Sequence, residues 1–274
     1  MTTTLAIANQ KGGVAKTTTV ASLGAALVEL GHKVLLVDLD PQACLTFSLG
    51  IDPEDLELSV HHVLTKGLDP LEVILETEDG VDLLPATIEL ARAEADLLTR
   101  TGREHVIKSA LEGIEEDLGD AGYDWVLLDC PPSLGVLTVA ALTAANGVLV
   151  PLQCETLSHR GVGQLLDTVH DVRRFTNRKL EVWGVLPTLY DGRTNHSRTV
   201  LETISETYQL EVVEPPIPKT IKFAEAPAAG RSILSTAAKS NKGAKAYREV
   251  AVNLVERAKR PRAVPSKSAK PAKG

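Results

Sequence analysis

The sequence predicts an α/β fold, a doubly wound and mostly parallel sheet flanked by helices. Three observations carry this. Short runs rich in Val, Leu and Ile recur along the chain, longer segments of helical pattern separate them, and a glycine–lysine stretch lies at the first strand-to-helix junction. Alternation of strand and helix favours parallel strands joined by helical crossovers. Several of the runs are apolar on both faces, as central strands covered from each side must be.

The elements follow in order. "TLAIA" (4–8) is the first expected strand, and a helix then runs from Lys16 to Leu30, stopped by Gly31 in a good C-terminal position. "KVLLVD" (33–38), "VDLLP" (81–85), "DWVLLD" (124–129), "GVLVPL" (147–152) and "VWGVLP" (182–187) are the further strands. Helices are expected over 88–100, 103–118, 160–175, 194–208 and 243–258. Neither an internal repeat nor a mid-chain linker interrupts the pattern, so residues 1–258 are expected to form one domain. From Lys259 the chain reads "KRPRAVPSKSAKPAKG", a Lys/Pro/Ala-rich segment that is expected to be a disordered basic tail over 259–274.

Composition excludes several classes. With 274 residues, 43% apolar and 24% charged, the chain has the balance of a globular protein with a sizeable core. It contains no uninterrupted apolar run of the ~18 residues that a membrane span needs. The start, "MTTTLAIANQ", has neither a basic segment nor a hydrophobic signal core, so a cytoplasmic location is expected. Cys44, Cys130 and Cys154 are far apart and lack zinc-site spacing, which fits free thiols in a reducing compartment.

Charge is unevenly divided. Residues 1–216 hold 15 Lys and Arg against 33 Asp and Glu, whereas residues 217–274 hold 14 against 3. An acidic body with a basic C-terminal quarter suggests that this quarter meets a polyanion.

The segment "NQKGGVAKTTT" (9–19) is the strongest local signal. Gly12 and Gly13 let successive N–H groups curl around an anion at the start of a helix. Lys16 is placed to reach terminal phosphates, and the Thr17 hydroxyl to ligate Mg²⁺. Lys11 is unusual, because an ordinary phosphate loop needs no charge in that turn. It is placed either to cap the anion within its own subunit or to reach a nucleotide held by a partner copy. Alanine at position 15 is tolerable in such a loop only if its backbone avoids positive φ.

These residues resemble the deviant Walker A motif, KGGxxK[ST], of the ParA/MinD group of P-loop ATPases. Further matches spread the resemblance over roughly residues 3–258: "VLLVDLDPQ" (34–42), "WVLLDCPPSLG" (125–135), "TLYDGRT" (188–194) and "PPIPKTIKFAEAPAAGRSI" (215–233), the last two similar to ParA/Soj C-terminal motifs. The resemblance implies an ATPase that uses ATP and Mg²⁺. Lys11, Gly12, Gly13, Val14, Ala15, Lys16, Thr17 and Thr18 would hold the nucleotide. Lys11, Lys16 and Asp40 would carry catalysis, with Asp40 orienting the attacking water. Thr17, Asp129 and Asp38 would serve the metal, and the adenine would lie near Thr188 and Pro218.

The resemblance also implies an ATP-dependent homodimer that binds double-stranded DNA without sequence preference, on the nucleoid, and releases it when a ParB-like partner stimulates hydrolysis. Such a cycle drives chromosome or plasmid partition. Candidate DNA contacts are Arg193, Lys219, Lys222, Arg231, Lys239, Lys242, Lys245 and Arg248. Two alternatives stay open: a ParA-like positioning ATPase for another cargo, and a DNA-bound regulatory protein with weak or no ATPase activity. A MinD-like membrane helix is not expected, since the C-terminus lacks bulky apolar residues.

Overall fold

The computed structural model describes residues 2–155, 158–193 and 195–260. The chain runs β1 (Thr3–Ile7), α1 (Lys16–Glu29), β2 (Val34–Asp38), α2 (Cys44–Ser48), α3 (Val60–Lys66), β3 (Leu75–Glu76), β4 (Asp82–Leu84), α4 (Leu90–Leu98) and α5 (Val106–Leu118). It continues through β5 (Trp125–Asp129), α6 (Val136–Ala144), β6 (Gly147–Gln153), α7 (Ser158–Phe175), β7 (Glu181–Thr188), α8 (Asn195–Tyr208), α9 (Lys222–Glu225), α10 (Ile233–Thr236) and α11 (Lys242–Ala258).

All six expected strands form. They build a seven-stranded sheet of order β3-β4-β2-β5-β1-β6-β7, parallel except for the short edge pair β3–β4. Both faces are covered, which explains the unbroken apolar runs. Ala6, Leu35, Val37, Val126 and Leu128 point into one core with α3 to α8, while Leu5, Ile7, Leu36, Leu127 and Trp125 point into the other with α1 and α11. Gly31 adopts φ 88 just after α1, as a C-terminal stop requires. Apart from Lys259 and Arg260, the basic tail lies outside the described residues. Among the described residues no helix is long and apolar enough to cross a membrane.

The sheet order positions the site. β2, β5 and β1 are neighbours, and Asp38 and Ile7 both pair in register with Asp129. Three carboxyl strand ends thus bring the glycine-rich loop and both acidic motifs to one edge, where ligands bind in open α/β sheets.

Candidate functional site

The loop after β1 curls as its glycines suggest. Gly13 takes φ 73, and a Cβ at Gly12 or Gly13 would meet nothing within 4 Å, so both face open space. α1 begins at Lys16, and among the described residues no side chain caps its first amides. Those free N–H groups and the helix dipole point toward the space above the loop, an anion-binding arrangement.

Ala15 departs from the expectation. Its backbone is left-handed, φ 63 and ψ 36, and its carbonyl accepts the Thr19 N–H at 2.9 Å. The tight turn into α1 imposes this conformation although alanine's Cβ costs about 1–2 kcal/mol there. Glycine would remove that cost but add about 0.5–1 kcal/mol of backbone entropy on folding. Ala15→Gly is therefore expected to stabilise the fold slightly, raising Tm by about 1–3 °C in thermal unfolding. A lower Tm would show that the left-handed turn is not strained.

A cavity of about 750 Å³ opens above the loop. Gly12, Gly13, Ala15, Lys16, Thr17, Thr18 and Asp40 line it, so the structure gathers most of the expected nucleotide residues. Val14 is buried and contributes from behind: its carbonyl accepts the Thr188 hydroxyl at 2.9 Å. The Thr188 side chain is fully buried and braces the loop from β7, while its neighbour Leu189 lines the cavity.

The far wall is Leu189 with Lys219, Thr220, Ile221, Phe223 and Ala224, and Pro132, Cys44 and Ser48 complete the lining. Pro218 is half-buried beside this wall, bridged to Tyr190. The quoted motifs contained Pro132, Leu189 and the 219–224 stretch, but nothing in them marked these side chains as cavity lining.

Electrostatics sharpen the roles of the acids. Asp129 is buried, and neither carboxylate oxygen has a hydrogen-bond partner among the described residues. Burial, then the neighbouring Asp38 charge, push its carboxyl well above the usual range, while the Thr17 hydroxyl and Lys16 act in the opposite direction. A buried acid with two open oxygens beside Thr17 fits a divalent cation held with phosphate and water ligands.

Asp38 differs. Its carboxylate accepts the Thr46 N–H at 2.9 Å, the Thr46 hydroxyl at 2.8 Å and the Asp40 N–H at 3.1 Å. Burial still raises its carboxyl to about 6. Both oxygens thus help to shape the turn from Asp40 to Thr46.

Lys16 is buried, its Nζ 3.4 Å from the Lys11 carbonyl. Burial lowers its ammonium below the usual lysine range, against the opposing pull of Asp129, Cys130 and Asp40. Lys11 is tied differently, its Nζ forming an ion pair with the Glu155 carboxylate. Asp40 is half-buried at the cavity edge, where its carboxylate accepts the Gln42 N–H at 3.0 Å.

The basic candidates divide. Arg231 pairs with Glu78 at 3.1 Å and docks its segment on the β3–β4 turn, and Arg248 holds Glu29 through two bonds of 2.5 and 2.7 Å. Arg193 pairs with Asp191 at 3.1 Å, Lys222 with Glu225 at 2.6 Å and Lys245 with Glu249 at 3.7 Å. Lys219 is exposed but lines the nucleotide cavity, Lys242 opens α11, and Lys239 lies beside Glu29. Arg231 and Arg248 are thus tied to acidic partners on other elements of the fold.

Sheet order, loop and paired acidic motifs define a P-loop nucleotide-binding protein. The model of the AAA domain family matches residues 2–182. Sporulation initiation inhibitor protein Soj of Bacillus subtilis is 42% identical over 254 residues, covering 91% of this chain and 98% of Soj. The chromosome-partitioning ATPase Soj of Thermus thermophilus is 43% identical, covering 92% and 95%. The chain belongs to the ParA/Soj family of deviant Walker A ATPases. A solved structure named cobyrinic acid a,c-diamide synthase, from Mycobacterium smegmatis with bound ATP analog and magnesium, superposes with a TM-score of 0.83 at 55% identity, covering 94% of this chain and 96% of that one.

Proposed function

We propose that the chain is a ParA-like ATPase that binds ATP and Mg²⁺, dimerises, coats double-stranded DNA without sequence preference, and drives chromosome or plasmid partition. The observation that carries this reading is the gathering of the P-loop, Lys16, Thr17 and Asp40 around one cavity, with the buried, unpartnered carboxylate of Asp129 at the end of the neighbouring strand β5 and a second lysine, Lys11, in the same loop.

The residues divide the chemistry. The amides of 12–17 and Lys16 hold the β- and γ-phosphates. Mg²⁺, held by the Thr17 hydroxyl and through water by Asp129, neutralises phosphate charge. Asp40 orients the water that attacks the γ-phosphorus as the bond to the bridging oxygen breaks, releasing ADP and phosphate. The turn tied by Asp38 and Thr46 keeps Asp40 in place. The wall of Leu189 and 219–224 packs against the base, and Lys11 completes the phosphate shell, within the subunit or across a dimer. Hydrolysis waits for a ParB-like partner bound to the cargo, and the nucleoid is the dimer's place of work.

DNA retention tests this reading. Duplexes of unrelated sequence should be bound with ATP and Mg²⁺ but not without nucleotide. Raising salt from 50 to 200 mM should weaken binding by about 10²-fold if a dimer makes about four phosphate contacts. Retention independent of both ATP and salt would sink the proposal.

The name of the Mycobacterium smegmatis structure favours a second reading, ATP-dependent amidation of a carboxylic acid. Amide transfer from glutamine commonly uses a thiolate. Here burial raises all three thiols, Cys154 to about 11 and Cys130 further, and Cys44 is raised by burial and by Asp40. ATP turnover that required cobyrinic acid and an ammonia source, and was indifferent to DNA, would favour that reading instead.

A further inference from the structure

Two lysines flank the loop, and they are held in different ways. Lys16 lies within the site, close to the Lys11 carbonyl. The Lys11 side chain is 31% exposed and its ammonium is paired with Glu155, a residue 144 positions away whose side chain is 52% exposed. Both ends of this contact are anchored. The buried Asn9 accepts the Lys11 N–H on Oδ1 at 3.0 Å and donates from Nδ2 to the Pro151 carbonyl at 2.7 Å. Lys11 is thereby tied at its root to β6, the strand that leads into Glu155, whose own N–H is bonded to the Gln153 carbonyl at 2.8 Å. β1 and β6 are neighbours in the sheet, so the contact spans a short and well-braced distance.

We propose that Glu155 is a positioning residue for Lys11, a carboxylate latch that holds its ammonium outside the phosphate shell until nucleotide draws it in. The inference rests on the reading that Lys11 engages nucleotide phosphates. An ammonium cannot give its full set of short contacts to phosphates while paired with a carboxylate, so binding must break or stretch the ion pair. A partly exposed pair is weak, and a polyphosphate with several negative charges outcompetes it. The latch therefore sets a threshold for nucleotide, and its removal shifts the binding equilibrium by up to about five-fold.

Titration with a fluorescent ATP analogue and Mg²⁺ reads this directly. Glu155→Gln is expected to tighten binding by about two- to five-fold, with Tm unchanged. Glu155→Asp, which keeps the charge, should stay near wild type. In a Lys11→Ala background, Glu155→Gln should have no effect. Unchanged or weaker binding in Glu155→Gln would overturn the latch, as would an equal gain in the absence of Lys11. Lys11→Ala separates the two claims. If it leaves ATP affinity and dimerisation at wild-type levels, the reading of Lys11 fails and the latch with it. If it weakens them while Glu155→Gln is silent, the latch fails by itself.

Discussion

Asp40→Ala is expected to slow ATP hydrolysis by about 10²–10⁴-fold while leaving ATP binding and ATP-dependent dimerisation in place. Asp40 lines the cavity together with the loop and Lys16, and in the proposed mechanism the loop amides and Lys16, not Asp40, hold the phosphates. Its loss removes the group that orients water without removing a phosphate contact. The fold should tolerate the change. The buried tie in this turn is Asp38 with Thr46, and the Asp40 side chain contributes a bond to Gln42 at the surface. Steady-state phosphate release, measured beside nucleotide affinity, checks this. A wild-type rate in the variant would remove Asp40 from the mechanism.

Lys11→Ala is expected to abolish ATP-dependent dimerisation with the monomer fold intact. A charge-assisted hydrogen bond is worth about 1.5–3 kcal/mol, and a symmetric dimer loses two of them. The dimer should then weaken by about 10²-fold or more. Among the described residues the Lys11 side chain makes the partly exposed pair with Glu155 and is not part of the core, so folding has little to lose. Sedimentation of the variant with ATP and Mg²⁺ gives the answer. Dimers that survive would show that Lys11 caps nucleotide without joining subunits.

What the sequence disclosed follows from which contacts are local. The six strands were legible because burial on both faces leaves continuous Val/Leu/Ile runs, as in "VLLVD" and "WVLLD". α6 was not, since "VLTVAALTA" is apolar nearly all round and carries no amphipathic period; Leu137, Thr138, Ala140, Ala141, Leu142 and Thr143 are all buried. α3 was hidden by its cap, in which the His62 ring, not a Glu or Gln, accepts the Ser59 N–H. α2 and β3, of five and two residues, are too short to show a period.

The same division runs through the site. The loop and its acids sit at strand ends, so "KGGVAKTT", Asp40 and Asp129 were readable one motif at a time. The wall opposite was not. It forms because the Ile217 N–H bonds to the Pro187 carbonyl and the Tyr190 N–H to the Ile217 carbonyl, which swings residues 219–224 over the cavity. That the Thr188 hydroxyl braces Val14 was likewise unreadable, since the two lie 174 positions apart. The ties that the basic candidates make were unreadable for a related reason. Pairs such as Glu29–Arg248, 219 residues apart, exist only in three dimensions.

The central claim is that ATP joins two copies of this chain. Sedimentation equilibrium of the Asp40→Ala variant, which should hold ATP without consuming it, tests that most directly. The account predicts the 29.3 kDa monomer without nucleotide and with ADP, and about twice that mass with ATP and Mg²⁺. A mass that stays monomeric with saturating ATP, or is dimeric whatever the nucleotide, would contradict it.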